Sequence, residues 1–430
     1  MVSAEGERQI FPRQTNKIRW VGMEGVKETS DQFASKLTDS EELSALQMEG
    51  KMREKAMAES TPFKDYYNRD LAKKLADRIS VIYSDFDSAN FVRRVAKGVK
   101  PLELKDRVAL IREELNRHLP LAFPKVVDIF MQILPPPLEG FEGIFSYGYH
   151  LHPVSDYVAT YGLEEPELSL KALHAITQCF TAEFAIRPFI EQHETLTLKH
   201  LEAWTQDPSE HVRRLVSEGS RSRLPWAPRL ALPAERPEVT IALLKMLNRD
   251  PSDYVRRSVA NHLNDLTRDH PKLVLETLTA WQKNSCAETD HIIRHALRSE
   301  IKAGNPKALA LLGYGKPKVT LATFTITPTS IQIGDSLILE AEIQNSASRK
   351  QALLIDFAVH YQKANGRLKA KVFKGSTVEV AKGANYTFRK KVAFRQVTTR
   401  VLYPGKHRIE LLINGESQAI QDLELESAKA

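Results

Sequence analysis

Cysteine is scarce. Only Cys179 and Cys286 occur in 430 residues, so no disulfide framework is available and a reducing compartment is expected. No apolar run approaches the ~18–20 residues that a membrane span needs, and the first residues, Met1-Val-Ser-Ala-Glu-Gly-Glu-Arg, show no basic segment followed by an apolar one. Walker loops, dinucleotide glycine fingerprints, HExxH and CxxC pairs are all missing, which removes local support for phosphoryl, hydride and metal chemistry. His150 and His152 lie only two positions apart and point in different directions on a helix, so no metal centre and no cofactor is expected. An apolar fraction of 42% with 27% charged residues excludes disorder of the whole chain.

The length suits two to four domains. Of 61 Lys+Arg and 54 Asp+Glu, 17 and 10 fall between Pro317 and Ala430. That stretch carries the whole net charge of +7, and the remainder is balanced at 44 and 44. A neutral large region joined to a small basic one suits either a clamp for a polyanion or charge that serves solubility.

Residues 1–60 read as a poorly ordered extension with one helix over Ser40–Ala58. From 61 to 314, amphipathic segments follow one another without strand-like alternation: Leu71–Tyr83, Lys105–Asn116, Pro124–Leu134, Leu168–Cys179 and Pro237–Leu247. Within them a repeat is visible. Gln206-Asp-Pro-Ser-Glu-His-Val-Arg-Arg-Leu-Val recurs 43 residues later as Arg249-Asp-Pro-Ser-Asp-Tyr-Val-Arg-Arg-Ser-Val, and faintly at His291-Ile-Ile-Arg-His. Each copy follows a helix and uses Asp-Pro-Ser, or its equivalent in the faint copy, as turn and N-cap. Helix pairs at this period indicate a HEAT-like solenoid whose second helices line the concave face. From 315 to 430 the pattern becomes β: about seven short strands with turns at Asn365-Gly366, Pro404-Gly405 and Asn414-Gly415, as in an immunoglobulin-like sandwich without the Cys–Trp–Cys set. Two segments, Leu368–Phe373 and Ser376–Val380, are read as separate strands.

The densest chemical constellation is His211-Val-Arg-Arg-Leu-Val-Ser-Glu-Gly-Ser-Arg-Ser-Arg-Leu-Pro-Trp-Ala-Pro. On a helix Arg214 and Glu218 are i,i+4 neighbours, and Gly219 can end the helix. Arg221 and Arg223 then precede Trp226, stiffened by Pro225 and Pro228, an aromatic that can pack on a base or sugar while guanidiniums take phosphates. Arg257, Asn261 and Asp265 form a second polar stripe, and Glu183 sits between Phe180 and Phe184. Taken singly, Arg214–Glu218 and Glu183–Arg187 read as surface ion pairs and Trp226 as a plug between repeats. Three acids on three successive inner helices, facing one groove, read as a site.

Phe180-Thr-Ala-Glu-Phe-Ala-Ile-Arg-Pro-Phe together with the Arg-Arg-x-x-x-Glu-Gly-x-Arg-x-Arg-Leu-Pro-Trp run resembles the AlkC-type DNA alkylation repair glycosylases, over about Thr61 to Tyr314. The resemblance implies a HEAT-like solenoid holding duplex DNA, and the β segment fits the immunoglobulin-like domain that some members carry. It implies N-glycosidic hydrolysis of cationic N-alkylated bases such as 3-methyladenine, without full flipping of the base. By matching position it makes Glu183, Glu218 and Asp265 the catalytic carboxylates, Trp226 the aromatic at the lesion and Arg214 a residue holding site or backbone. Arg213, Arg221, Arg223, Arg257 and Arg268 are the expected DNA contacts. Lys369, Lys371, Lys374, Arg389, Lys390, Lys391 and Arg395 of the sandwich complete a clamp. A monomer in the bacterial cytosol or nucleoid is expected, with alkylated duplex DNA as partner and no membrane or nucleotide cofactor. The rival reading is a non-enzymatic HEAT-repeat scaffold that binds nucleic acid or protein.

Overall fold

Sixteen α-helices and then eight β-strands make up the described residues of the computed structural model, which are 62–138, 140, 148–397 and 400–427. The extension expected over residues 1–60, with its helix at Ser40–Ala58, lies outside them. The chain divides between Asp65 and Tyr66, and everything that follows concerns the part from Tyr66 onward. No helix among the described residues is long and apolar enough to cross a membrane.

Helix α1 (Arg69–Ile82) shows how the first helices start. The Asn68 side chain accepts hydrogen bonds from the backbone N–H groups of Asp70 and Leu71 at 2.8 and 3.2 Å, satisfying donors the helix cannot. Leu71, Leu75 and Ile79 then fall on one buried face. Helices α2 (Ser88–Val99), α3 (Leu104–His118), α4 (Phe123–Gln132) and α5 (His152–Tyr161) follow. Several later helices instead open on proline, whose missing N–H costs nothing in the first turn: α6 (Pro166–Thr177), α7 (Arg187–Gln192), α10 (Leu232–Glu235), α11 (Pro237–Met246), α13 (Pro271–Gln282) and α16 (Pro306–Leu311).

The internal repeat is a set of helix pairs. α8 (Glu194–Trp204) leads into α9 (Glu210–Gly219), α11 into α12 (Asp253–Leu266), and α13 into α14 (Ala287–Ala296). The second helices α9, α12 and α14 pack side by side. The Asp-Pro-Ser turn works differently from the cap the sequence indicates. Neither Ser209 nor Ser252 caps through its side chain. Instead Asp207 and Asp250 accept from the N–H of Ser209 and Ser252, at 2.8 and 2.9 Å. The first arginine of each Arg-Arg pair then staples its own turn. Arg213 donates to the carbonyls of Asp207 and Pro208, and Arg256 to those of Asp250 and Pro251. Arg213 also grips Asp250 of the next repeat through two bonds of 2.6 and 3.0 Å.

After the short α15 (Arg298–Lys302) and α16 come β1 (Val319–Thr327), β2 (Ser330–Gln332), β3 (Ser336–Asn345), β4 (Gln351–Gln362), β5 (Leu368–Val380), β6 (Asn385–Ala393), β7 (Gly405–Ile413) and β8 (Glu416–Glu426). They form a three-stranded sheet, β1-β3-β6, and a five-stranded one, β2-β8-β7-β4-β5. Inward residues such as Leu339, Ile343, Leu353, Phe388, Ile409 and Leu411 make one core. The two strands expected at 368–373 and 376–380 are one, because the chain passes Gly375 with a register shift against β4. A Cβ there would stand 2.2 Å from the Ile355 carbonyl oxygen, so glycine keeps the strand continuous. β8 has no counterpart among the expected strands.

The β7–β8 turn docks on the helical part. Asn414 and Gly415 have φ of 47° and 78°, the paired positive values of a tight hairpin. The Asn414 side-chain amide donates to the Gly315 carbonyl at 2.8 Å. Gly415 lies against Gly304 and Leu309, and a Cβ added to it would stand 2.6 Å from the Gly304 Cα.

Candidate active site

Five charged side chains run in alternating sign along the face made by the second helices. Glu183 stands in the turn between α6 and α7 rather than on an inner helix, and α9 supplies Arg214 and Glu218. Arg221 follows α9, and Asp265 ends α12. Arg214 donates to Glu183 and, at 2.9 Å, to the Thr181 hydroxyl. Its other terminal nitrogen is 3.5 Å from Glu218, and its guanidinium lies 5.1 Å from the Tyr254 ring centroid. Arg221 donates to Glu218 at 2.6 Å and to Asp265 at 2.8 Å. Ser258 donates to the second Glu218 oxygen at 2.6 Å.

The three carboxylates, all buried, have unequal surroundings. Burial alone would raise the Glu218 carboxyl, but Arg214 and Arg221 outweigh it and hold the group down to about 2. Glu183 and Asp265 have one guanidinium each. Burial dominates there, a like charge from Glu218 adds to it, and both carboxyls stand above the usual range. Both arginines are held more firmly protonated than usual, since their carboxylate partners outweigh the cost of burial. Asp265 commits Oδ2 to Arg221, and among the described residues its Oδ1 takes no hydrogen bond. The centre of the chain is a locked ionic knot, and its two ends are carboxylates with spare acceptor capacity.

Trp226 lies on the loop after α9 as a residue 56% exposed, with its backbone at φ 67°, a region that disfavours a residue with a Cβ. Its carbonyl oxygen accepts from Lys105 of α3. Gly219 does not need a left-handed backbone here. It is the last residue of α9, where a Cβ would come within 2.5 Å of Ile186, so close packing selects glycine.

The expected DNA contacts separate into two groups. Arg213 and Arg221 are consumed inside the protein, the first by the repeat turn and Asp250, the second by Glu218 and Asp265, so neither presents a free guanidinium to a ligand. Arg214 likewise holds acids. Arg223 pairs with Asp269, which Arg229 also meets at 3.0 Å. Among the described residues Arg257 is exposed and bonds only its own-helix Asp253, and Arg268 is exposed beside Asp265. Lys390 and Lys391 are exposed on β6, and Lys369, Lys371 and Lys374 lie on β5. β5 and β6 are the edge strands of the two sheets and lie next to each other, so these basic residues share one rim of the sandwich. Edge strands carry lysine to discourage further pairing as well.

Sequence reasoning passes over Tyr254, Ser258 and Lys105, and it reads Arg187 only as a surface partner of Glu183. Tyr254 does carry a signal, because it occupies the position of His211 in the repeat, and the two rings meet edge to face at 5.8 Å. Arg187 does not pair with Glu183. Among the described residues all its hydrogen bonds go to backbone carbonyls.

Residues 320–427 match a family model described as the uncharacterised protein YhaZ, C-terminal Ig-like domain. The uncharacterized protein YhaZ of Bacillus subtilis (strain 168) is 35% identical over 364 residues, which is 84% of this chain and 99% of that protein. Among solved structures, the Pseudomonas fluorescens alkylpurine DNA glycosylase AlkC, bound to DNA containing an abasic site analog, aligns with a TM-score of 0.79 and 37% identity over 85% of this chain and 99% of its own. With a relative this similar matched along nearly its whole length, the chain belongs to the AlkC-type family of DNA alkylation glycosylases, and it carries the C-terminal immunoglobulin-like domain of YhaZ.

Proposed function

We propose that the protein is a DNA base-excision glycosylase that hydrolyses the N-glycosidic bond of cationic N-alkylated bases such as 3-methyladenine in duplex DNA. The observation that carries this reading is the alternating chain Glu183–Arg214–Glu218–Arg221–Asp265, followed a few residues after Arg221 by an exposed aromatic on a proline-stiffened loop. A ring-alkylated purine already bears positive charge, so it leaves without a strong general acid. Positive charge then grows on the deoxyribose, and carboxylates fixed before the reaction stabilise it with no reorganisation. Asp265, with Oδ1 uncommitted, is placed to orient the attacking water, and Glu183 supplies the second field. Glu218, neutralised from both sides, holds the two arginines that aim its neighbours. Trp226 offers a π face to the sugar or the cationic base, an attraction of about 1–2 kcal/mol when desolvated. A neutral base lacks the leaving-group advantage, so selectivity follows from the chemistry of the lesion, and the base need not enter a deep pocket. The chain would act as a monomer in the cytosol or nucleoid, where its DNA partner is, with no metal or nucleotide cofactor.

The deciding experiment incubates the purified chain with methylated and unmethylated duplex DNA and identifies released bases by chromatography. Free 3-methyladenine from the methylated duplex alone is the expected result. A gel shift of DNA with no base released would identify a scaffold instead.

The basic rim of the sandwich fits the phosphates on the far side of the same duplex. Lys390→Glu with Lys391→Glu is expected to lower the slope of log binding constant against log salt by about two, at ~0.9 per phosphate contact. The single-turnover rate at saturating protein should be unchanged. An unaltered salt slope, measured by fluorescence anisotropy of labelled duplex, would remove the clamp role from these residues.

A further inference from the structure

We propose that Arg187 and Lys105 are positioning residues that set Trp226 by gripping the backbone of its loop from two sides. Arg187 is buried, and one terminal nitrogen donates to the carbonyls of Gly219 and Arg221 at 3.1 and 2.8 Å. The other donates to the Pro228 carbonyl at 2.6 Å. Those three acceptors are the two ends of the segment that carries Trp226. No carboxylate lies within ion-pair distance of Arg187 among the described residues; carbonyl dipoles hold its charge in the interior, with Glu191 of α7 as a more distant opposite charge. Such a group is expensive to bury and lacks the usual compensating partner. What it does accomplish is geometric, because a planar fork can tie several carbonyls at fixed angles, as an ammonium cannot.

The loop needs such a grip. Its apex is Leu224-Pro-Trp-Ala-Pro, where two prolines have no N–H to give and Trp226 holds a positive φ. Lys105 meets this apex from α3, 121 positions away in the chain, by donating to the Trp226 carbonyl oxygen. Arg187 reaches further than the tryptophan, for the residue whose carbonyl it binds, Arg221, is the one whose guanidinium orients Glu218 and Asp265. One buried side chain thus registers the aromatic and the acids to each other.

The test uses the full chain as Arg187→Lys and as Lys105→Met, each also with Trp226→Phe so that the Trp226 emission is obtained by difference. Arg187→Lys is expected to melt cooperatively while Trp226 becomes more quenchable by acrylamide and its anisotropy falls. Lys105→Met changes an exposed residue and should shift both signals the same way, by less. The turnover arm rests on the glycosylase reading. There the single-turnover release of base should fall about 100-fold in Arg187→Lys, the scale of an ångström-level misplacement, with the Kd for abasic-analogue DNA within about threefold of wild type. Unchanged Trp226 quenching and anisotropy in both variants would overturn the proposal. Should Arg187→Lys fail to fold, Lys105→Met alone decides it by the same signals. A wild-type chain that releases no base would sink the glycosylase reading and leave the fluorescence result standing.

Discussion

Asp265→Asn should bind methylated duplex DNA like the wild type and release base about 100- to 1,000-fold more slowly, the loss found when one preorganised electrostatic group is removed from a transition state. Asparagine keeps the shape and can still accept from Arg221, so the ionic knot survives, but the charge facing the sugar is gone. The pH profile carries an independent sign. On the proposed glycosylase reading the reactive form is the carboxylate, and burial lifts the Asp265 carboxyl above the usual range. The wild-type rate should therefore be constant above that raised pKa and fall below it, at less acidic pH than an ordinary aspartate would give. In Asp265→Asn this acidic limb should shrink, leaving what Glu183 contributes. Release by the mutant at the wild-type rate, in single-turnover assays with identified product, would require a different assignment of the chemistry.

Glu218→Ala is the expected large loss of stability, about 3–5 kcal/mol, because it strips a buried carboxylate from two guanidiniums at once. Glu218→Gln should lose far less. Both arginines meet the same oxygen, Oε1, and Ser258 meets the other, so an amide can present its carbonyl to the arginines and its NH2 to the serine hydroxyl. The comparison isolates charge from shape. Glu218 is held down to about 2 from an ordinary value of 4.5, so its ionic contribution is complete above about 4.5 and is lost as pH falls toward 2. The stability gap between wild type and Glu218→Gln, measured by urea unfolding, should therefore be widest near neutrality and close across that window. A gap that grows on acidification would contradict the pairing of Glu218 with both arginines in the folded state.

What can be read along the chain is whatever local geometry decides. The i,i+4 relation of Arg214 to Glu218 and the 43-residue recurrence are enough to place two of the acids on neighbouring helices. The same rules misassign Arg213, because they register a charge on a helix and not the turn behind it whose carbonyls need a donor. They misjudge Glu183 and Arg221 for a related reason. Both stand outside helices, where direction is set by distant partners rather than by periodicity. Lys105 gives no signal and Arg187 a misleading one, its i,i+4 spacing from Glu183, since the acceptors of both are backbone oxygens 30 to more than 100 positions away, and any residue supplies those. In the sandwich, β8 is hidden because its buried residues, Leu423 and Leu425, are diluted by glutamate, glutamine and serine on a strand that is otherwise largely exposed.

The bare contact of Gly304 with Gly415 has a mechanical meaning. Backbone touches backbone here, the Asn414 side chain is bonded to Gly315, and Leu309 packs on Gly415, so the two surfaces have little room to slide past each other. The sandwich is therefore seated closely on the last helices, and α15 in turn meets α12, the helix that carries Asp265, where Arg298 and Ser299 donate to Asn261 and Asn264. A displacement of one against the other must be taken up elsewhere, in the small rotations between successive helix pairs, as a spring yields along its length.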